Sequence, residues 1–231
     1  MSFRLVYRED PGNPWFSWQY LRDNSETILD ALGEHVMLTA QAVAIAALVA
    51  VPLAVVAYWF RPLTGPILAL SGVLYTIPSL ALLAFVAPYV GTTNPASVLI
   101  ALVLYALLLM IRNTLAGLNQ VPAETREAAL GMGYGRFGLL LRIDLPLALP
   151  GIITGIRLAT VSTVALVTVG AMIGYGGLGD LILTGFRNNF YKAEIVTGTV
   201  LSVGLALVLD LVLAGIGRLL TPWISRRAAA R

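Results

Sequence analysis

The chain has 231 residues, of which 58% are hydrophobic and only 12% are charged, and its mean hydropathy is +0.84. A soluble domain carries about a quarter charged residues, so this composition indicates a membrane protein with several spanning helices. The apolar segments are continuous rather than alternating, which argues against a β-barrel. Because there is no cysteine and only one histidine, the composition excludes disulfides, thiolate sites and a cluster of metal ligands. The formal net charge of +3 gives no indication of a nucleic-acid partner.

Residues 1–34 are polar and aromatic. The side chains of Trp15, Phe16, Trp18 and Tyr20 are typical of a membrane–water interface, although a disordered tail explains them equally well. Residues 24–32 have the pattern of a short capped helix. No apolar run here is long enough for a signal peptide, so we expect no cleavage. We expect residues 1–34 to form an extracytoplasmic or interfacial segment.

Five apolar segments follow, at residues 36–60, 67–90, 96–111, 152–173 and 195–216. Four of them reach the length of about 20 residues that a membrane-spanning helix needs. The third reaches it if its helix extends towards Leu118. The sequence therefore predicts an all-α, polytopic membrane protein with about five transmembrane helices over residues 35–218, followed by a basic cytoplasmic tail at residues 219–231.

Basic residues predict the orientation, because they accumulate on the cytoplasmic side of membrane proteins. With the N-terminus outside and five spans, ten basic residues fall on the inner side and five on the outer side. We therefore expect the N-terminus outside, the C-terminus in the cytoplasm, and the loop at residues 112–150 in the cytoplasm.

A short helix is expected within this loop. Pro122 suits a first helical position, Glu124 suits the first turn, and the glycines from Gly131 onward end the helix after about ten residues, too few for stability alone. Ala128 and Ala129 carry no bulky side chain and would let a partner surface approach closely.

The second half of the loop has a different pattern. Residues 137–145 are apolar with interspersed charges, which is typical of a segment lying along a membrane surface. Pro146 and Pro150 are expected to turn the chain from there into the next apolar segment.

One spaced motif in the loop resembles the EAA loop of the membrane subunits of bacterial ABC importers. It consists of Glu127, Ala128, Ala129, Gly133, Ile143, Leu145 and Pro146. The resemblance implies that these residues couple transport to ATP hydrolysis, through a coupling helix that sits in a cleft on a cytoplasmic ATPase. The alternative is an ordinary connector between two membrane helices.

The second apolar segment has polar side chains around a proline. Pro78 removes a helical hydrogen bond at membrane depth, next to Tyr75, Thr76 and Ser79. This pattern predicts a kink that faces a polar cavity, and a simple packing kink is the alternative. These four residues, with Arg112 and Asn113 at the end of the third segment, are our candidates for the translocation path.

Two further features stand inside apolar segments. Asp210 is expected to pair with a cation such as Arg157 or Arg112, because an acid in lipid needs a partner, unless it is a helix-end acid exposed to water. Five glycines in residues 170–179 cannot hold a stable helix end. They would suit a gate, a tight helix crossing or an external turn.

Other stretches resemble the permeases for quaternary-ammonium osmoprotectants, namely residues 76–83, 104–108, 111–114, 127–133, 145–150 and 173–179. Tyr75 departs from that pattern, standing where glutamine is usual, and Leu109-Met110 stands where proline-isoleucine is usual. The resemblance implies the type I ABC importer permease fold and transport of glycine betaine, carnitine, choline or proline across the bacterial inner (plasma) membrane.

The same resemblance implies several partners: a second permease subunit, identical or related, a dimer of cytoplasmic ATPases, and an extracytoplasmic solute-binding protein. The chain has no Walker A motif, so the partner ATPase is expected to use the ATP and Mg²⁺. We expect no cofactor bound by this chain and no enzymatic activity of its own.

Three alternatives compete with this interpretation. The cargo of the same machine would be methionine, a sulfonate or another small solute. A self-contained carrier or channel would show repeated halves with broken helices, which we do not find. An intramembrane enzyme would need a serine–histidine or paired-carboxylate site, but we expect His35 at a helix end, and Asp210 is the one acid well inside an apolar segment.

Overall fold

The computed structural model describes residues 12–91 and 94–223, and these residues are arranged almost entirely in helices. The helices are α1 (Trp18–Asp23), α2 (Ser25–Trp59), α3 (Arg61–Thr76), α4 (Ser79–Val90), α5 (Pro95–Asn119), α6 (Ala123–Gly131), α7 (Arg136–Leu139), α8 (Leu145–Val167), α9 (Leu178–Arg187) and α10 (Lys192–Leu220). A π-helical segment, Leu140–Asp144, joins α7 to α8, and a 3-10 segment, Thr168–Ile173, follows α8. The expectations for residues 1–11 and 224–231 lie outside the described residues.

Four stretches in the described part of the chain are long and apolar enough to cross a membrane: Ser25–Trp59, Pro95–Asn119, Arg136–Ile173 and Lys192–Leu220. Helices α3 and α4 make a fifth span if they are taken together across their 95° bend. The prediction of an all-α fold with about five transmembrane helices is therefore confirmed. The third segment does extend beyond Leu118, because α5 ends at Asn119.

The bend between α3 and α4 lies at the proline that the sequence singled out. Ile77 and Pro78 are extended, with ψ values of 128° and 133°, because proline has no N–H and disfavours the helical conformation of the residue before it. The hydroxyl of Tyr105 on α5 donates a hydrogen bond to the carbonyl of Ile77. The predicted kink is thus a complete interruption of the helix.

The prediction for the start of the first span was wrong. Residues 24–32 do not form a separate helix, because α2 runs without a break from Ser25 to Trp59 and contains Pro52. Asn24 precedes α2 but makes no side-chain cap. His35, expected at a helix end, lies inside α2 and is fully buried. The expected helix has no end after residue 32, because Gly33 stays helical and the apolar residues that follow continue the same helix.

Residues 137–145 belong to a helical stretch, Arg136–Ile173, that is longer than one membrane crossing needs, so their expected position along the membrane surface stays a prediction. The expected turn at Pro146 and Pro150 was wrong. Pro146 occupies the first turn of α8, where a missing N–H costs nothing. In the π-helical segment before it, the N–H of Leu145 donates to the carbonyl of Leu140. Pro150 lies inside α8, so the two prolines do not turn the chain.

Helices α2 and α5 pack through small residues. Ala46, Ala50 and Ala54 repeat every fourth position along α2 and are fully buried, so they form one stripe on the helix. Met110 and Ile111 of α5 belong to the same buried cluster. Small side chains let two helix backbones approach closely, which is how helices gain packing energy where lipid removes the hydrophobic driving force.

Helices α5 and α8 cross on glycines. A Cβ on Gly151 would lie 2.8 Å from the Cα of Gly117 and 2.9 Å from the carbonyl oxygen of Asn113. A Cβ on Gly155 would lie 2.9 Å from the Cβ of Asn113. Gly151 and Gly155 are small residues four positions apart, a spacing that is typical of closely packed membrane helices. Our sequence analysis missed this signal.

An ion pair joins α8 to α10. The guanidinium of Arg157 donates two hydrogen bonds to Asp210, from Nε to Oδ1 and from Nη2 to Oδ2, both at 2.8 Å. Such a bidentate pair satisfies both charges within an apolar region. The predicted pairing of Asp210 is confirmed, with Arg157 as its partner and not Arg112.

The glycine crossing yields a test of the fold. We expect Gly151→Ala to lower the free energy of unfolding by about 1–3 kcal/mol, since the new methyl group forces α5 and α8 apart. The matched control is Gly204→Ala in α10, where a Cβ meets nothing within 4 Å and helix propensity favours alanine. Thermal unfolding of the purified variants measures both. Equal stability of the two variants would contradict the tight crossing.

Candidate functional site

Helix α6 is short and is bounded as the loop sequence suggests. It contains nine residues, Ala123–Gly131, with Glu124 in its first turn. We had expected Pro122 to be the first residue of the helix, but it is the residue before the helix. Gly133 has a φ of +86°, a conformation that glycine adopts without strain, and the N–H of Tyr134 returns to the carbonyl of Ala129 at 3.1 Å. The chain then turns towards α7.

One face of α6 is anchored to the rest of the chain. Nε of Arg126 donates to Oδ1 of Asp144 at 2.9 Å, and Nη2 donates to the carbonyl of Leu118 at 3.2 Å. The same guanidinium lies 4.8 Å from the ring centre of Tyr58, within cation–π range. Asp144 is only 2% exposed. Arg126 therefore ties α6 to α2, to the end of α5 and to the segment before α8.

The other face of α6 is open. Glu127, Ala128, Leu130 and Met132 are exposed, with Met132 at 70%. Ala129, in contrast, is only 1% exposed and packs inward. Of the two alanines that we expected to face a partner, only Ala128 does so in this chain. The exposed leucine and methionine side chains add an apolar surface beside it.

The seven motif residues form two groups. Glu127, Ala128, Ala129 and Gly133 lie on α6 or just after it, whereas Ile143, Leu145 and Pro146 lie in the π-helical segment and the first turn of α8. The second group is half-buried. The Arg126–Asp144 pair links the two groups across the loop and holds α6 to the residue directly before α8. Sequence analysis missed both residues of this pair, because no periodicity relates positions 18 residues apart.

The candidate path residues around the bend lie near one another. Tyr75, Thr76 and Pro78 are exposed and Ser79 is half-buried. The Tyr75 ring lies 5.8 Å from the ring of Tyr105. The hydroxyl of Thr76 donates a hydrogen bond to the carbonyl of Val73 at 2.8 Å. The hydroxyl is therefore paired with a carbonyl in the last turn of its own helix, α3.

Arg112 and Asn113 are not part of that group. Asn113 is half-buried and donates to the carbonyl of Leu109 at 2.7 Å. Arg112 is exposed and makes no ion pair with any described residue. Seven residues of α5 separate Arg112 from Tyr105, which is about 10 Å along the helix. The six candidates therefore mark two positions at different depths along one side of α5, and their role in transport stays a prediction.

The glycine-rich residues 170–179 form a tight turn between α8 and α9. Gly174 is left-handed, with φ +86° and ψ 17°, and Gly177 has φ +52°, so two positions need glycine. The N–H of Gly176 donates to Oδ2 of Asp180 at 3.2 Å. Burial raises the pKa of the Asp180 carboxyl, and the hydrogen bonds from Gly176 and Gly177 oppose this effect. The turn is thus a packed element of structure and not a loose external connection.

Metal binding finds no support in the described residues, which contain no group of three or more histidine, cysteine, aspartate or glutamate side chains placed to hold an ion.

Comparisons with known proteins identify the family of this chain. The family described as "Binding-protein-dependent transport system inner membrane component" matches residues 42–226. The choline transport system permease protein OpuBD of Bacillus subtilis is 34% identical over 92% of this chain and 93% of that protein. OpuBB of the same strain, also a choline transport system permease protein, is 37% identical over 88% of this chain and 93% of that protein.

Two further similarities concern a relative and a fold. The carnitine transport permease protein OpuCB of Listeria monocytogenes is 35% identical over 90% of this chain and 95% of that protein. A solved structure of the MetNI methionine ABC transporter in inward-facing conformations superposes with a TM-score of 0.76 at 19% identity, covering 86% of this chain and 98% of that chain. The expected fold of an ABC importer permease is thereby confirmed.

The Arg126–Asp144 pair yields a test of how α6 is held. We expect Asp144→Asn to lower the free energy of unfolding by about 1–3 kcal/mol, because it leaves a partly buried guanidinium without its counter-charge. We also expect faster tryptic cleavage after the exposed Arg136. Glu124→Gln, an exposed change in the first turn of α6, is the matched control. Unchanged cleavage in Asp144→Asn would show that the pair does not fix α6.

Proposed function

Because the chain belongs to the family of inner membrane components of binding-protein-dependent transport systems, we propose that it is the permease subunit of an ATP-driven importer of quaternary-ammonium or related osmoprotectants. The solutes in question are glycine betaine, carnitine, choline or proline. One observation carries the proposal: relatives that are 34–37% identical over about nine-tenths of the chain are permeases named for choline and carnitine.

The proposal extends to the role of α6 as the coupling helix. A helix of nine residues that is anchored on one face and exposed on the other presents a fixed open surface, including the apolar side chains of Leu130 and Met132, to a partner. The motif spacing supports an ATPase as that partner. Glu127, Ala128 and the exposed Leu130 and Met132 then contact it, and the Arg126–Asp144 pair carries the movement to α8.

The distribution of basic residues supports a cytoplasmic location for residues 112–150, with the N-terminus and residues 1–34 outside and the C-terminal tail inside. In this orientation α6 faces the ATPase and the turn at residues 170–179 faces the extracytoplasmic side. The turn is then near the surface that receives the solute-binding protein.

Several chains complete the proposed machine. Two relatives from one Bacillus strain are both named as choline transport permeases, which supports a pair of related or identical permease subunits. The ATPase dimer uses ATP and Mg²⁺, and the binding protein delivers the solute. The likeness to the methionine transporter concerns the fold alone, at 19% identity, so it does not favour methionine as the cargo.

A transport assay tests the cargo. In vesicles that contain the permease with its ATPase, we expect uptake of radiolabelled choline or glycine betaine only when ATP and the binding protein are both present, since the permease alone has no energy source. Methionine is the control solute and should not accumulate. Uptake by the permease alone would contradict the importer assignment, and uptake of methionine in place of choline would contradict the cargo.

Cysteine labelling tests the orientation of the chain and the coupling role of α6 together. Because the chain has no native cysteine, only the introduced cysteine can react. Met132→Cys, next to α6, is expected to react with a membrane-impermeant maleimide only from the cytoplasmic side. Bound ATPase should slow that reaction at least ten-fold, because Met132 lies on the proposed contact surface. The control is Asp23→Cys, an exposed position at the end of α1, which should react from outside at a rate independent of the ATPase.

Reaction of Met132→Cys from outside would overturn the orientation. Labelling from inside without protection by the ATPase would overturn the coupling role while leaving the orientation intact.

A further inference from the structure

The single histidine of the chain bridges three helices. His35 of α2 is fully buried. Its Nε2 lies 3.0 Å from the carbonyl oxygen of Val164 on α8, and its Nδ1 lies 3.2 Å from the backbone nitrogen of Leu178 on α9. A backbone N–H only donates and a carbonyl only accepts. These partners therefore assign a neutral imidazole with its proton on Nε2.

Both partners of His35 are backbone groups at helix ends. Val164 belongs to the last turn of α8, where the chain changes to a 3-10 segment, and Leu178 is the first residue of α9. Terminal carbonyls and N–H groups lack helical partners, and leaving them unpaired in a buried place is costly. One side chain thus caps the end of α8 and the start of α9 together.

The backbone leaves α9 little freedom to move around this ring. A Cβ on Gly177 would lie 2.7 Å from the Cβ of His35 and 2.8 Å from the carbonyl oxygen of Ala31, so the turn lies directly against the backbone of α2. Leu178 is itself fully buried in a cluster with Tyr20 and Ile28. The glycine contact sets the distance between the turn and α2, and the hydrogen bond to Nδ1 sets the register of α9.

The same ring lies at the far end of α8 from α6. Helix α8 begins next to Asp144, the partner of Arg126 on α6, and its last turn carries the carbonyl that His35 binds. Helix α9 is packed closely on α10, where a Cβ on Gly198 would lie 2.8 Å from the carbonyl oxygen of Leu178. Helix α9 also lies directly against the residue that follows α8, since a Cβ on Gly179 would clash with the Cα of Thr168, and α10 is paired with α8 through Arg157 and Asp210. His35 adds to these contacts the two hydrogen bonds that join α9, α2 and α8.

We propose that His35 is a positioning residue of the transport cycle: its imidazole fixes α9 relative to α2 and α8, so that contact of the binding protein with the α9 side of the permease is passed along α8 to α6 and the ATPase. The bond from Leu178 to Nδ1 carries this role, and the bond to Val164 completes the cap of α8. This inference rests on the proposed function and orientation.

Two substitutions separate the two bonds. The amide oxygen of asparagine reaches the position of Nδ1, so His35→Asn keeps the acceptor for Leu178 and loses the donor to Val164. The amide nitrogen of glutamine reaches the position of Nε2, so His35→Gln keeps the donor and loses the acceptor. Thr39→Val is the matched control, since Thr39 is buried one turn further along α2 and its hydroxyl has no hydrogen-bond partner in the described structure.

The measurement is ATPase activity of the reconstituted transporter complex against the concentration of loaded binding protein. We expect His35→Gln and His35→Ala to raise the half-saturating concentration about ten-fold with little change in the rate without binding protein. His35→Asn and Thr39→Val should stay within about two-fold of wild type. If His35→Ala fails to assemble, the comparison of His35→Asn with His35→Gln decides.

Equal responses of His35→Asn and His35→Gln would overturn the role of the Leu178 bond. A parallel fall of both the basal and the stimulated rate in His35→Gln would show that His35 is only structural, which also overturns the proposal.

A second measurement does not depend on the cargo or on the ATPase. Spin labels at Asp30→Cys on α2 and Thr184→Cys on α9, both exposed positions, report the distance between the two helices. We expect a broader distance distribution in His35→Gln than in His35→Asn. An unchanged distribution would reject the positioning role even if transport of osmoprotectants is confirmed. A broadened one would support it even if the cargo proves different.

Discussion

Every buried backbone N–H and C=O group in a membrane-spanning chain must find a partner within the protein, because hydrocarbon offers none. Helices satisfy this requirement except where they are interrupted, and at two of the interruptions in residues 12–91 and 94–223 a side chain supplies a partner. At the first, the hydroxyl of Tyr105 binds the carbonyl of Ile77 beside Pro78. At the second, the imidazole of His35 binds the carbonyl of Val164 and the N–H of Leu178. In both places a side chain from a neighbouring helix takes over from the missing helical bond, which couples the broken element to the helix that supplies the side chain.

The same requirement governs charge. The Arg157–Asp210 pair lies between α8 and α10, and the Arg126–Asp144 pair lies between α6 and the start of α8. Both pairs therefore involve the Arg136–Ile173 span or the segment that leads into it. Glycine contacts with α5 and the hydrogen bond from His35 of α2 are added to these pairs, so this span is connected to α2, α5, α6 and α10. Close packing of this kind leaves few voids that could absorb a displacement at one end.

The sequence alone predicted those features that follow from local pattern. The spans followed from apolar length, the break at Pro78 from the missing N–H, and the short α6 from its charged first turn and its closing glycines. Asp210 was correctly expected to pair with a cation such as Arg157 or Arg112, because few cations are available within an apolar region, and the structure shows Arg157. The contacts that the sequence alone did not predict join residues that are far apart along the chain. His35 and Leu178 are separated by 143 residues along the chain, and no periodicity relates them. Pro146 and Pro150 were expected to turn the chain, but Pro146 fits the first turn of α8 and Pro150 lies inside the same helix.

Anchoring on one face is what suits α6 to the coupling role that we propose for it. A helix exposed on all sides would rotate freely when a partner moved it, and one buried on all sides would offer no contact. Here the pair with Asp144 and the inward packing of Ala129 fix one face, while Ala128, Leu130 and Met132 remain open. Because Asp144 directly precedes α8, the anchor is attached to the very span whose other end binds His35. The path from the open face of α6 to the turn at residues 170–179 thus contains one ion pair, one continuous helical span and one imidazole. The proposed coupling uses these three connections to link α6 with the turn, without a separate moving domain.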